Sequence, residues 1–177
     1  MVGDSLSAAY GIARDQGWVA LLEARLKNER IDYSVVNASI SGNTTSDGVA
    51  RLKPLLDKHK PAVVVLELGG NDGLRGLPVA QVRTNLTALI KQARGAGARV
   101  LLVGVRLPPN YGEDYGRGFD AMYGELAKAH RIALVPFLLE DFADKPDYFL
   151  DDRIHPTAAA QPMMLDRVWR GLRPLLK

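Results

Sequence analysis

Two hydrophobic rhythms alternate along the chain. Within residues 16–27, Trp18, Leu21, Leu22 and Leu26 recur at helical spacing and predict an amphipathic helix. Residues 33–37 read as a short strand. Thr44 and Asp47 then stand at capping-box spacing before a second helix, which turns Val49, Leu52, Leu55 and Leu56 inward. Pro54 is expected to end or kink that helix. Residues 62–68 form an almost unbroken aliphatic run, the pattern of a strand buried on both faces. A helix over 78–94 follows, with Val82, Leu86, Leu89, Ile90 and Ala93 on one face. Residues 100–105 read as a second buried strand and 107–118 as a loop. A helix over 119–130 carries Met122, Tyr123, Leu126 and Ala127, and 132–135 is a last short strand. Residues 137–150 mix Phe, Leu and Asp without a readable period. Thr157 is expected to cap a final helix to about Leu172, with Leu165, Val168, Trp169 and Leu172 inward and a bend at Pro162.

Strands alternating with helices predict a parallel sheet covered by helices on both faces, a doubly wound α/β sandwich. At 177 residues, with no internal repeat, linker or low-complexity segment, residues 1–177 are expected to form one domain. Only Met1 and Val2 precede Gly3, too few for a strand of about five residues. We therefore expect an upstream segment that held the rest of a first strand, and with it an export signal.

Composition narrows the function classes. No apolar run approaches the roughly 18 residues of a membrane span, so no stable membrane insertion is expected. The net charge is only +3, with Lys and Arg scattered among acids, so no nucleic-acid face is expected. With no cysteine, the chain has no disulfide, thiol nucleophile or cysteine-bound zinc.

In a parallel sheet of this type, ligands bind at the carboxyl ends of the strands. Those ends carry Gly3-Asp4-Ser5, residues 37–42, 69–72 and 106–111, and they gather the polar residues best suited to chemistry. Gly3 is expected to let the backbone turn sharply, and Asp4 and Ser5 to lead into a helix through Ala8 and Ala9. The amides and dipole of such a helix favour a developing negative charge. On its own, Gly-Asp-Ser is equally an ordinary turn. His59 and His130 sit at predicted helix ends and read as solvated or capping residues. His155 differs, because Asp152 lies three residues earlier in a loop and can accept the Nδ1 proton, leaving Nε2 as a base. Asp151 is the rival for that role, and a plain helix start is the alternative for the whole stretch. The order serine, acid, histidine is one of the known triad orders. Three donors are candidates for an oxyanion hole: the Ser5 amide, the Gly42 amide and the Asn71 side chain. Gly42 is also readable as a turn glycine, and Asn71 as a turn cap.

Gly3-Asp4-Ser5-Leu6, Gly42 at the end of residues 37–42, Gly69-Gly70-Asn71-Asp72, and Asp152-Arg153-Ile154-His155-Pro156 occur in order. In these four blocks the chain resembles the SGNH, or GDSL, hydrolases over nearly its whole length. Residues 70–76 and 107–112 are similar to the bacterial branch with thioesterase, arylesterase and lysophospholipase activities. The resemblance implies a flavodoxin-like three-layer α/β/α sandwich with a central, mostly parallel sheet. It implies Ser5 as nucleophile, His155 as base and Asp152 as its orienting acid, with Ser5, Gly42 and Asn71 as the oxyanion hole. The expected activity is a serine esterase that needs no metal or cofactor. It takes a small-molecule acyl ester, thioester or lysophospholipid through an acyl-enzyme on Ser5. Pro108 and Tyr111, with Tyr115, are expected to wall the acyl site. The resemblance also points to a periplasmic or secreted location. A different class of reading is a binding domain that holds phosphate or Mg²⁺ near Asp4, Asp72 and Asp152; it gives no work to the Asp152–His155 pair.

Overall fold

The computed structural model describes residues 1–177. Four parallel strands form one sheet in the order β1 (Val2–Gly3), β2 (Val63–Glu67), β3 (Arg99–Val103) and β4 (Ala133–Val135). Val2 pairs with Leu66, Val64 with Val100, and Leu102 with Leu134. Six helices surround the sheet: α1 (Trp18–Asn28), α2 (Thr45–His59), α3 (Gly70–Leu74), α4 (Val79–Gly95), α5 (Glu113–His130) and α6 (Gln161–Leu172).

The strands alternate their side chains between two cores. Val64, Leu66, Val100 and Leu102 pack with Leu52, Leu86, Ile90, Phe119 and Met122 of α2, α4 and α5. Val65, Leu101, Val103 and Val135 pack with Trp18, Leu22, Met164 and Val168 of α1 and α6. Each strand is thus apolar on both sides, which is why residues 62–68 read as a continuous run rather than as an alternation. The result is the three-layer α/β/α sandwich.

Several predicted elements shift. Residues 33–37 are extended but form no strand. The segment instead lies along the outer side of β1: Met1 N donates to Val36 O at 2.8 Å, Ala38 N to Met1 O at 2.9 Å, and Ile40 N to Gly3 O at 3.1 Å. A two-residue partner is too short to support a full ladder. Pro54 does not end α2, which runs through it to His59. Pro54 and Ala50, whose carbonyl loses its helical donor, are both exposed, so water takes that bond. The 107–118 loop is shorter than expected, because α5 starts at Glu113 and takes Tyr115 into its first turns. Pro162 falls in the first turn of α6, where a missing N–H costs nothing, rather than in the helix interior, where a bend is expected. Thr157 precedes a short 3-10 turn and makes no side-chain cap. The Thr44–Asp47 capping box forms as expected.

Candidate active site

Ser5 follows the end of β1 but does not begin a helix. Residues 4–12 form consecutive turns, with Ala8 N donating to Asp4 O at 3.0 Å and Tyr10 N to Ser5 O at 3.2 Å. Ala9 then adopts a left-handed φ of 59°. Side chains hold this shape. The Asp4 carboxylate accepts the Leu6 amide at 3.1 Å, and the Ser7 hydroxyl donates down to Glu67 at 2.7 Å. The expected helix dipole behind Ser5 is therefore absent. Individual amides remain, and the Ser5 N–H has no acceptor within the protein. Gly3 serves close approach rather than a sharp turn. A Cβ there would lie 2.8 Å from Glu67 Oε2 and 3.0 Å from Ser7 Cβ.

His155 arrives from between β4 and α6. Leu150 N donates to His155 O, and Arg153 N to Leu150 O, both at 2.8 Å, while Arg153 takes a left-handed φ of 57°. This tight loop fixes residues 150–155. Asp152 Oδ1 accepts the amides of Ile154 at 2.9 Å and His155 at 3.0 Å. Its Oδ2 lies 2.6 Å from His155 Nδ1. A carboxylate only accepts, so Nδ1 carries the proton, and Nε2 faces Ser5 Oγ at 2.9 Å as an acceptor. Partial desolvation pushes the Asp152 carboxyl up. The bonds from the His155 amide, its imidazole and the Ile154 amide outweigh that and hold it at about 2. Asp152 is therefore ionised at neutral pH. Asp151 is exposed and makes no such contact. The Tyr10 ring lies against the imidazole, with centroids 4.3 Å apart and planes tilted by 38°.

The other two expected donors come from the turn after the 33–40 segment and from the helix after β2. Gly42 is exposed at φ 81°, its amide has no acceptor within the protein, and Arg75 Nη2 donates to its carbonyl at 3.1 Å. Asn71 lies on α3, directly after β2. Its Nδ2 donates to Asp4 Oδ2 at 3.2 Å and to Asn43 O at 3.0 Å. The side chain thus reaches the residue before Ser5 and the residue after Gly42. Both of its N–H groups are engaged, and the Asp4 contact is the longer.

Pro108 is exposed and Tyr111 half-buried in a 3-10 turn. The Tyr111 hydroxyl donates to Leu74 O at 3.0 Å, and Tyr115 on α5 donates to Leu77 O at 2.6 Å. These bonds tie the turn to the last residue of α3 and α5 to the segment after it. None of these three residues hydrogen-bonds to Ser5 or His155. A cavity of about 460 Å³ lies at the other end of the strands among Val36, Leu56, Pro61, Val63 and Leu176. It is lined by none of Ser5, Gly42, Asn71, Asp152 and His155. The three carboxylates of the binding-domain reading do not converge either. Asp72 is buried and takes the Thr45 amide at 2.9 Å and hydroxyl at 2.5 Å, while Asp4 and Asp152 hold the partners described above.

Sequence reasoning passed over Glu67, Ser7, Tyr10 and Arg75. Glu67 carried a signal, since an acid inside an aliphatic strand run is rare without a reason. The contacts of Ser7, Tyr10 and Arg75 are all long-range and leave no local mark.

Residues 1–161 match the GDSL-like lipase/acylhydrolase family. The chain is 54% identical over 176 residues to the esterase TesA of Pseudomonas aeruginosa, covering 99% of this chain and 88% of that protein. It is 44% identical to the thioesterase 1/protease 1/lysophospholipase L1 of Escherichia coli, covering 99% and 83%. The crystal structure of the psychrotrophic esterase EstA from Pseudoalteromonas, inhibited by monoethylphosphonate, superposes with a TM-score of 0.94 at 40% identity, covering 99% and 96%.

Proposed function

The chain belongs to the GDSL-like lipase/acylhydrolase family, and on that premise we propose that Ser5, His155 and Asp152 are its nucleophile, base and orienting acid. The enzyme is a carboxylic ester hydrolase. Ser5 Oγ attacks the ester carbonyl as His155 Nε2 takes its proton. Asp152, already ionised, holds the imidazole by Nδ1 and stabilises the imidazolium that forms. The developing oxyanion accepts from the unengaged amides of Ser5 and Gly42. Asn71 joins them by sharing or releasing its long contact with Asp4. His155 then protonates the leaving alcohol, and the acyl group stays on Ser5. Water, deprotonated by the same imidazole, attacks the acyl-enzyme and frees the acid.

The observation that carries this reading is the unbroken contact from Ser5 Oγ through His155 to Asp152, at 2.9 and 2.6 Å, across 150 residues of chain. The surroundings suit an apolar acyl group. Tyr10, Ile40 and Ile154 are three of the four exposed large apolar side chains. They lie on the segments that bear Ser5, Gly42 and His155. Pro108 and Tyr111 extend that wall from the loop after β3. Thioesters and lysophospholipids enter the substrate range by the same carbonyl chemistry. The test is Ser5→Ala against p-nitrophenyl esters of graded acyl length, with fluorophosphonate labelling of the wild type. Hydrolysis and labelling should both vanish in the variant. Turnover that persists in pure Ser5→Ala protein refutes the nucleophile assignment.

A further inference from the structure

Beneath the Ser5 turn lies an ionisable side chain for which the acyl-transfer steps have no use. Glu67, the last residue of β2, is 0% exposed, as is Leu66 before it. Burying a carboxylate without a cation is costly, and no Lys or Arg contacts this one. Glu67 Oε2 accepts the Ser7 hydroxyl at 2.7 Å and, more loosely, the Asp4 amide at 3.4 Å. Oε1 is buried with no partner among the donors of the protein. These bonds grip the residues on either side of the nucleophile, Asp4 before it and Ser7 after it. Asp4, 2% exposed, passes the grip on: Oδ1 takes the Leu6 amide and Oδ2 takes Asn71 Nδ2. A continuous chain thus runs from Ser7 through Glu67 and Asp4 to Asn71. Gly3 leaves room for it, since any Cβ there would collide with Glu67 Oε2.

We propose that Glu67 is a positioning residue for the esterase, acting through Ser7 and Asp4 to set the Ser5 turn and the Asn71 side chain. The inference rests on the triad reading above. Two carboxyl groups this close and this buried cannot both hold a charge, so the pair keeps one proton. Burial pushes Glu67 well above the carboxylate range, and the Asp4 charge pushes it further. Each Asp4 carboxyl oxygen has a donor, from Leu6 and Asn71, whereas Glu67 Oε1 has none, so the proton resides on Glu67. Asp4, less strongly displaced, keeps the charge that Asn71 and Leu6 solvate. A neutral Glu67 replaces one of two buried acceptor oxygens, otherwise orphaned at Oε1, with a hydroxyl that can donate. It also spares the nucleophile a second negative charge beneath a site that must itself become negative.

The experiment compares Glu67→Gln and Glu67→Leu in the intact chain, with active serine counted by fluorophosphonate and p-nitrophenyl ester kinetics split into kcat and KM. Gln keeps an oxygen acceptor for Ser7 and an N–H toward Asp4, so its kcat should stay within about threefold of wild type. Leu keeps much of the volume and loses the contacts. Its kcat should fall on the order of 10- to 100-fold with KM nearly unchanged, less than the full loss of an oxyanion donor. Wild-type kcat in a folded Glu67→Leu protein overturns the inference, as does a Gln variant as slow as Leu. Should the Glu67→Leu variant fail to fold, Ser7→Ala decides. Its kcat should drop several-fold at unchanged KM, and an unchanged kcat overturns the proposal. Turnover that does not depend on Ser5 sinks the triad reading itself, whereas Ser5-dependent turnover insensitive to Glu67 sinks this inference alone.

Discussion

Asp152 shows how much one side chain does at this site. It caps two amides of its own loop and fixes the tautomer of His155 with the same carboxylate. Asp152→Asn keeps the shape but offers Nδ1 no charged acceptor, so kcat should fall by about 10²–10⁴ with KM little changed. The same residue sets an acid limit on the fold. Its carboxyl is held at about 2, below the ordinary 3.8, so its bonds stabilise the native state above about pH 4. That contribution fades as pH falls from there through about 2. Urea midpoints of wild type and Asp152→Asn should differ by a constant amount from about pH 7 to 5 and converge below about pH 4. Asp152 is more than a third exposed, so solvent screening keeps the stability effect small next to the kinetic one.

At the level of elements, β1 and its turn are the part that tolerates least. β1 has two residues, yet its carbonyls and amides organise the 33–40 segment on one side and β2 on the other. Arg51 of α2 adds to this by donating to the carbonyls of Ala38 and Gly3. Gly3→Ala should cost about 1–3 kcal/mol, because the methyl meets Glu67, Met1 and Ser7 in a region without slack. It should also lower kcat, since relief of the clash moves the turn that carries Ser5. Thermal unfolding and ester kinetics on the one variant check both parts. Normal stability and normal kcat together would show that β1 has more room than its neighbours indicate. Helix α2 is robust by contrast. Its capping box secures one end, and its proline faces water.

Across the molecule, the sandwich puts chemistry and stability in opposition at the edge of the sheet. The strand ends that make the site also bury Asp4, Glu67 and Asp72 together, with Tyr123 of α5 facing the same space and Arg51 on the α2 side. Acids raised by burial stay protonated in the native state after they ionise in the unfolded chain. Asp4 is raised by burial to about 6, against the pull of the Leu6 amide, and Glu67 is raised further. The native state thus binds more protons above about pH 4, and stability declines as pH rises from there through about 6 and beyond. Glu67→Gln removes one titrating acid from the pair. The variant should gain on wild type in urea midpoint between about pH 5 and pH 8. Parallel curves for the two proteins over that range would contradict a shared proton.

Local patterning was enough to give the layers and the chemistry-bearing blocks. A short β-branched and aliphatic run such as 62–68 reads as a strand covered on both faces, and the inward faces of α4 and α6 followed from spacing alone, because burial is a periodic and local demand. Ser5, Gly42, Asn71, Asp152 and His155 were legible because each sits in a short block at the end of an element. What stayed hidden was decided by contacts between distant segments. Ser5 leads into turns rather than a helix because Ser7 is drawn to Glu67, sixty residues away. Residues 33–37 fail to form a strand because their partner is two residues long. Pro54 and Pro162 do not end their helices because of where water and the first turn happen to fall. Only the folded chain could bring His155 to Ser5 and put a buried acid beneath them, because a hydrogen bond depends on distance in space and is indifferent to distance along the chain.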